Sequence, residues 1–167
     1  MELWQELDAA DLPDARRILQ ACCGSSRWVE RMLARRPFKT LDALLAASRD
    51  EWSACGPDDW REAFAHHPKI GDREALRQRF PATHHLSERE QAGVEGASDA
   101  VLDALAAGNR AYEQKFGYIF IVCATGLTAG EMLARLRERL GNDPAGEIRI
   151  AAEEQAKITA LRLASTR

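Results

Sequence analysis

No stretch of this chain is apolar for long enough to cross a bilayer, and the opening MELWQELDAAD lacks the basic and apolar regions of a secretory leader. A membrane-spanning or exported protein is therefore not expected. Disulfide chemistry is missing too, because Cys22, Cys23, Cys55 and Cys123 show neither C-x-x-C spacing nor a paired framework. Buried thiols in a reducing cytoplasm are the expectation. Nor is positive charge in excess: 23 Lys and Arg face 26 Asp and Glu, for a net charge of −3 and a pI near 5.8. That excludes a broad basic face for nucleic acid, and Arg135, Arg137 and Arg139 read as solvated helix surface.

Histidine is scarce, and the few present are not spaced as a helical metal site. His66-His67 and His84-His85 are adjacent pairs with Asp72 between them, and neighbours in sequence diverge on a helix instead of converging as i, i+4 ligands do. No metal is expected, although coordination from loops leaves a metal-dependent hydrolase as a rival reading. Strands are nearly lacking. Only residues 118–124, YIFIVCA, are short, apolar and β-branched between Gly117 and Gly126. A single strand leaves its own backbone groups unpaired, so residues 117–125 are expected to be a buried extended or irregular segment among helices.

What remains is helix. The 167 residues, 46% hydrophobic and 29% charged with no low-complexity tract, suit one all-α domain spanning residues 1–167 with a core of its own. Start and stop signals predict helices over 14–23, closed by Gly24, and over 26–35, where Trp28 and Met32 lie four apart. Thr40 caps a helix carrying Leu41, Leu44 and Leu45, and Pro57 opens another that ends at His67. A helix over 88–107 carries Val101, Leu102 and Leu105, and a separate short piece over 109–115 precedes Gly117.

The densest chemistry lies in residues 64–93, FAHHPKIGDREALRQRFPATHHLSEREQAG, which hold all four histidines. Pro68 disfavours helical geometry at the residue before it, which puts His67 at a helix end. Ser87 opens the following helix with Glu90 and Gln91 in its first turn, so an imidazole and a carboxylate can share a pocket. Ser87-x-x-Glu90 is equally a capping box, in which the two side chains only satisfy backbone groups. Both readings stand on sequence. What favours chemistry is the grouping of histidine, proline, serine, acid and amide in one loop-rich span.

The last third is strongly patterned. Thr128-x-x-Glu131 is a second capping box, before a helix with Met132, Leu133, Leu136 and Leu140 that Gly141 ends. Asp143-Pro144 then starts a long final helix, on which Ile148, Ala151, Gln155, Ile158 and Arg162 fall on one face. Arg162 continues a mostly apolar stripe. Either it snorkels to solvent, or it turns inward and needs an anion such as a carboxylate.

Four ordered motifs carry a resemblance: HPKIGD from His67, SEREQAG from Ser87, KFGYIFIVCATG from Lys115, and NDPAGEIRIAAEEQAKITALRL from Asn142. Together with the upstream CCGSSRW, they resemble the 2-oxo-4-hydroxy-4-carboxy-5-ureidoimidazoline (OHCU) decarboxylase family over nearly the whole chain. The resemblance implies a cofactor-free, all-helical, homodimeric carboxy-lyase that turns OHCU into (S)-allantoin in urate degradation. It also implies His67 and Glu90 as the catalytic pair, with Pro68, Ser87, Glu88, Arg89, Glu90, Gln91, Phe120, Ile121, Val122, Cys123, Ala124 and Arg162 around the substrate. Leu86 and Leu127 depart from the family pattern, where tryptophan and lysine are frequent, and bear on pocket packing. His66 matches no fixed family position. A helical binding module without chemistry is the remaining alternative, but it leaves His67 and an inward Arg162 without purpose. The C-terminal Ser165-Thr166-Arg167 is not an S-K-L type peroxisomal address, in keeping with a cytoplasmic enzyme.

Overall fold

The computed structural model describes residues 1–68, 73–80 and 98–166. Among these the regular structure is helical, with one isolated bridge between Glu2 and Thr166. The helices are α1 (Leu3–Ala9), α2 (Leu12–Cys22), α3 (Ser26–Ala34), α4 (Leu41–Ser53), α5 (Pro57–Ala65), α6 (Arg73–Arg79), α7 (Asp99–Phe116), α8 (Ala129–Leu140) and α9 (Pro144–Leu163). They divide into two compact units, the first of Met1–His67 with Ile148–Arg167 and the second of Pro68–Glu147. The chain is all-α, as its composition implies.

In the first unit, Leu7, Leu19, Trp28, Met32, Leu44, Phe64 and Leu163 are completely buried. Polar handles tie this core together: the Trp28 indole donates to the Ser48 carbonyl at 3.3 Å, and that of Trp52 donates to Ala152 at 2.9 Å. Buried indoles need such acceptors, because an unpaired N–H in a low-dielectric core is costly. Caps fix where the helices begin. Thr40 accepts from the Ala43 N–H at 3.1 Å as its sequence position implies, and Asp11 and Ser25 do the same for α2 and α3. Helix α1 is an addition to the sequence reading. Its signal was short, a Leu3/Leu7 pair on one face and a Glu2 N–H bonded to Gln5 at 3.0 Å.

The second unit corrects the sequence reading in three places. Ser98 is extended and its hydroxyl accepts from the Val101 N–H, so the expected helix over 88–107 cannot run unbroken. Its start at Ser87 lies outside the described residues. Beyond Ser98 the expected gap between 107 and 109 closes, and α7 runs continuously to Phe116. Gly108 sits inside it without breaking it, because a Cβ there would lie 2.6 Å from Leu136 on α8. That glycine serves close helix packing, not a turn. Arg139, read as surface, is buried. Steps of four and three from Met132 through Leu136 bring it onto the inward face, and Glu147 supplies the counter-charge, whereas Arg135 and Arg137 are exposed.

Helix α9 begins in the second unit and continues in the first. Its N-cap is as expected, Asp143 accepting from the Gly146 N–H at 3.1 Å. The buried stripe is turned slightly from the predicted one: Ile148, Ala151, Ala152, Gln155, Thr159 and Leu163 are inside, while Ile158 and Arg162 flank it. Over 16 residues a 3.6 period drifts, and a threonine whose hydroxyl finds partners takes the inward place.

Candidate functional site

Helix α5 ends where Pro68 forces it to. Its last turn tightens, His66 and His67 donating backbone N–H groups to Ala63 and Phe64, each at 3.2 Å. His67 therefore leaves the helix with its side chain half-buried, and its Nε2 lies 2.5 Å from the Gln155 amide oxygen. From Gln155 the contacts run on through α9, its amide nitrogen donating to the Thr159 hydroxyl at 3.0 Å. Thr159 reaches the Cys22 carbonyl at 3.5 Å, and the same carbonyl accepts from Arg162 Nη1 at 3.2 Å. His66 points elsewhere: its ring covers Gly24, where a Cβ would stand 2.3 Å from it. That close approach explains the glycine after α2 by packing, since the helix is already closed by an extended Cys23.

Electrostatics at this place favour a neutral imidazole. Burial is the main cause that pulls the His67 pKa below the usual histidine range, and the Arg162 and His66 charges act in the same direction against the Gln155 bond. Among the described residues Nδ1 of His67 has no hydrogen-bond partner. A neutral ring with a basic nitrogen can accept a proton near neutral pH. The adjacent Cys23 thiol is pushed up to about 12 by burial, so it stays protonated and un-nucleophilic.

The second unit holds a different cluster. Residues 118–124 form no ladder, as expected for an irregular segment, but only Tyr118 and Ile121 are buried and the others are half-buried. Arg139 holds the segment from behind, donating through Nη1 to the Ile121 carbonyl at 2.5 Å, with its guanidinium 4.5 Å from the Phe120 ring centre. Glu147 closes the cluster. It accepts from Arg139 Nε at 2.9 Å and Nη2 at 2.7 Å, from Asn142 at 3.0 Å, and from the Tyr112 hydroxyl. Burial, with the Glu147 bond second, raises the Tyr112 pKa far above the phenol range. Tyr112 also packs edge-on to Phe120 at 5.3 Å.

Of the residues singled out from sequence, His67 and Arg162 are thus brought to one neighbourhood, and Pro68 follows His67 as an exposed residue. Phe120, Ile121, Val122, Cys123 and Ala124 lie together on the irregular segment. Ser87, Glu88, Arg89, Glu90 and Gln91 lie outside the described residues, as do Leu86, His84, His85 and Asp72. Among the described residues no three His, Cys, Asp or Glu side chains gather as a metal site. Arg162 is an exposed residue whose guanidinium donates to the Cys22 carbonyl, which favours the solvent-reaching expectation over the inward one with an anion. Cys123 is only half-buried, unlike Cys22, Cys23 and Cys55. Gln155 was placed only on the helix stripe, without a role at the site, and Thr159 was not named. Their signal was polarity on an otherwise apolar stripe, whereas Tyr112 and Glu147 are 35 positions apart and left no pattern to find.

Comparison with known proteins bears on the family. A family model for OHCU decarboxylase matches residues 8–164. The chain is 42% identical over 148 residues to the uric acid degradation bifunctional protein TTL of Arabidopsis thaliana, covering 87% of this chain and 45% of that protein. It therefore spans under half of that relative's length. It is 39% identical over 134 residues to a 2-oxo-4-hydroxy-4-carboxy-5-ureidoimidazoline decarboxylase of Amia calva, covering 77% of this chain and 73% of that one. A crystal structure of an OHCU decarboxylase in the presence of (S)-allantoin superposes with a TM-score of 0.68 at 39% identity, over 87% of this chain and 93% of the other. With nearly its full length matched by the family and its helices matched in space, this chain belongs to the OHCU decarboxylase family.

Proposed function

We propose that this chain is a carboxy-lyase that decarboxylates OHCU to (S)-allantoin and CO₂ in urate degradation, with no cofactor, and that residues 1–167 act as one domain in doing so. The family match supports this reading, and the half-buried His67 held on Gln155 is the observation that carries it. The chemistry asks little else. The bond to the carboxylate breaks, its electron pair passes into the adjacent ring C=N, and the nitrogen takes up a proton. The resulting enol then loses its hydroxyl proton while the ureido-bearing carbon gains one. His67 Nδ1 is the acceptor for the hydroxyl proton, and general acid-base work of this kind contributes roughly a hundredfold to ten-thousandfold.

The remaining roles follow the family pattern. Glu90 completes the catalytic pair and meets the ureido group. The family resemblance also assigns Ser87, Glu88, Arg89 and Gln91 to substrate binding, and Pro68 with Phe120, Ile121, Val122, Cys123 and Ala124 to backbone contacts with the polar ring. Arg162 keeps guanidinium N–H groups for the substrate carboxylate beyond the one on Cys22. The enzyme works as a cytoplasmic homodimer. Cysteines without disulfide spacing support that location, and among the described residues no helix is long and apolar enough to cross a membrane.

The test is stereochemical. OHCU generated freshly from urate is given to the protein, and allantoin is followed by circular dichroism. One enantiomer, formed faster than in buffer, is expected; racemic product at the buffer rate contradicts the proposal.

A further inference from the structure

Every hydrogen bond in the chain behind His67 has a direction, and the far end fixes all of them. The Cys22 carbonyl can only accept. Thr159 lies 3.5 Å from it, and its one hydroxyl proton goes there. The Cys23 thiol also touches Thr159, but sulfur is the weaker acceptor, and a proton given to it would equally be unavailable to Gln155. With its proton used, the Thr159 hydroxyl can only accept from Gln155, at 3.0 Å. The Gln155 amide must therefore turn its nitrogen to Thr159 and its oxygen to His67. An amide oxygen also only accepts, so the proton on the 2.5 Å contact belongs to His67 Nε2.

We propose that Gln155 and Thr159 are positioning residues that hold His67 as its Nε2–H tautomer, leaving Nδ1 as the lone pair that takes the substrate proton. Gln155 is 1% exposed and Thr159 3%, so neither competes with water for these bonds. A neutral amide suits the task better than a carboxylate. It fixes the tautomer while favouring the imidazolium less than a carboxylate would, and burial, the larger effect, favours the neutral ring in the resting state. Among the described residues the charged and titratable groups that act on His67 are Arg162 and His66, and both oppose protonation. The catalytic use of Nδ1 rests on the decarboxylase reading; the tautomer does not.

Nitrogen-15 NMR of the histidine-labelled protein, at a pH where His67 is neutral, reads the tautomer directly. A protonated Nε2 and an unprotonated Nδ1 are expected, and the reverse assignment overturns the proposal. It would mean that Gln155 is flipped and Thr159 donates to it. Thr159→Val should mix the two tautomers and lower kcat about tenfold with KM nearly unchanged, and Thr159→Ser should restore both. A pure Nε2–H signal in Thr159→Val removes the positioning role. Gln155→Glu gives an independent reading: it should raise the His67 pKa and move the acid limb of the pH–kcat profile upward, which a merely structural residue would not do. An unmoved His67 titration in folded Gln155→Glu also overturns the proposal. If the tautomer responds as stated while no variant changes turnover, the positioning stands and the catalytic reading of His67 fails.

Discussion

Two polar clusters lie in this chain, and they differ in how they are closed. Around Glu147, charge is matched within the protein: Arg139, Tyr112 and Asn142 all bond to one carboxylate, and Arg139 also holds the Ile121 carbonyl. Around His67 the bonds are between neutral groups, Gln155 and Thr159, and lead to a ring whose second nitrogen has no partner among the described residues. The first is complete and so serves as a fastening for the segment over 118–124. The second is open at one end among the described residues, which is what a group that must exchange a proton requires. Burial of polar side chains does not by itself mark a site; an unfilled valence at the end of a satisfied chain does.

The sharpest way to break the comparison is to remove the fastening. Arg139→Met leaves Glu147 as an unpaired buried carboxylate, and a loss of about 3–5 kcal/mol in stability is expected from denaturant titration. Whatever folded protein remains should keep the Nε2–H tautomer of His67 and lose turnover only as the segment loosens. A near-parental midpoint would mean that Glu147 takes up a proton or water enters at no cost, and the cluster would not be a fastening.

Arg162 tests the open end. Arg162→Met should raise KM about tenfold, equivalent to 1.4 kcal/mol, with a smaller change in kcat, if its guanidinium grips the substrate carboxylate. A fall in melting temperature with KM unchanged would make it only a clasp on Cys22. Because Arg162 depresses the His67 pKa, the same change should also move the acid limb of activity upward in pH.

A smaller effect concerns acid stability. His67 is depressed in the fold, so below about pH 6.5 the unfolded chain takes up a proton before the folded one does. Stability is therefore full above that pH and falls as pH drops toward the folded pKa. Melting curves between neutral and mildly acid pH should slope accordingly, and His67→Gln should flatten that slope. An identical slope in both proteins would assign the acid sensitivity elsewhere. The smallest effect expected is none at all: dialysis against a chelator should leave turnover unchanged, and activity restored only by added zinc would revive the paired histidines as ligands.

Sequence carried the helices well wherever a cap or a proline marked them, as at Thr40, Pro57, Thr128 and Asp143. It misjudged Gly108, because a glycine that admits Leu136 and a glycine that ends a helix look alike until the packing partner is known. Arg139 was misjudged for a related reason, its partner Glu147 lying eight positions away across a helix boundary. His67 was legible because Pro68 dictates its local geometry. Gln155 and Thr159 were visible only as misplaced polarity, since a hydrogen bond spanning 88 positions has no local signature.

The central claim, that the open cluster does chemistry while the closed one holds structure, is tested most directly by kcat and melting temperature of His67→Gln. The introduced amide can still donate to Gln155, so the bond chain survives while the imidazole is gone. Turnover of OHCU reduced by at least about a hundredfold, in a protein that melts near the parental temperature, is the predicted result. Turnover within a few-fold of the parent, or lost only in step with stability, would contradict it.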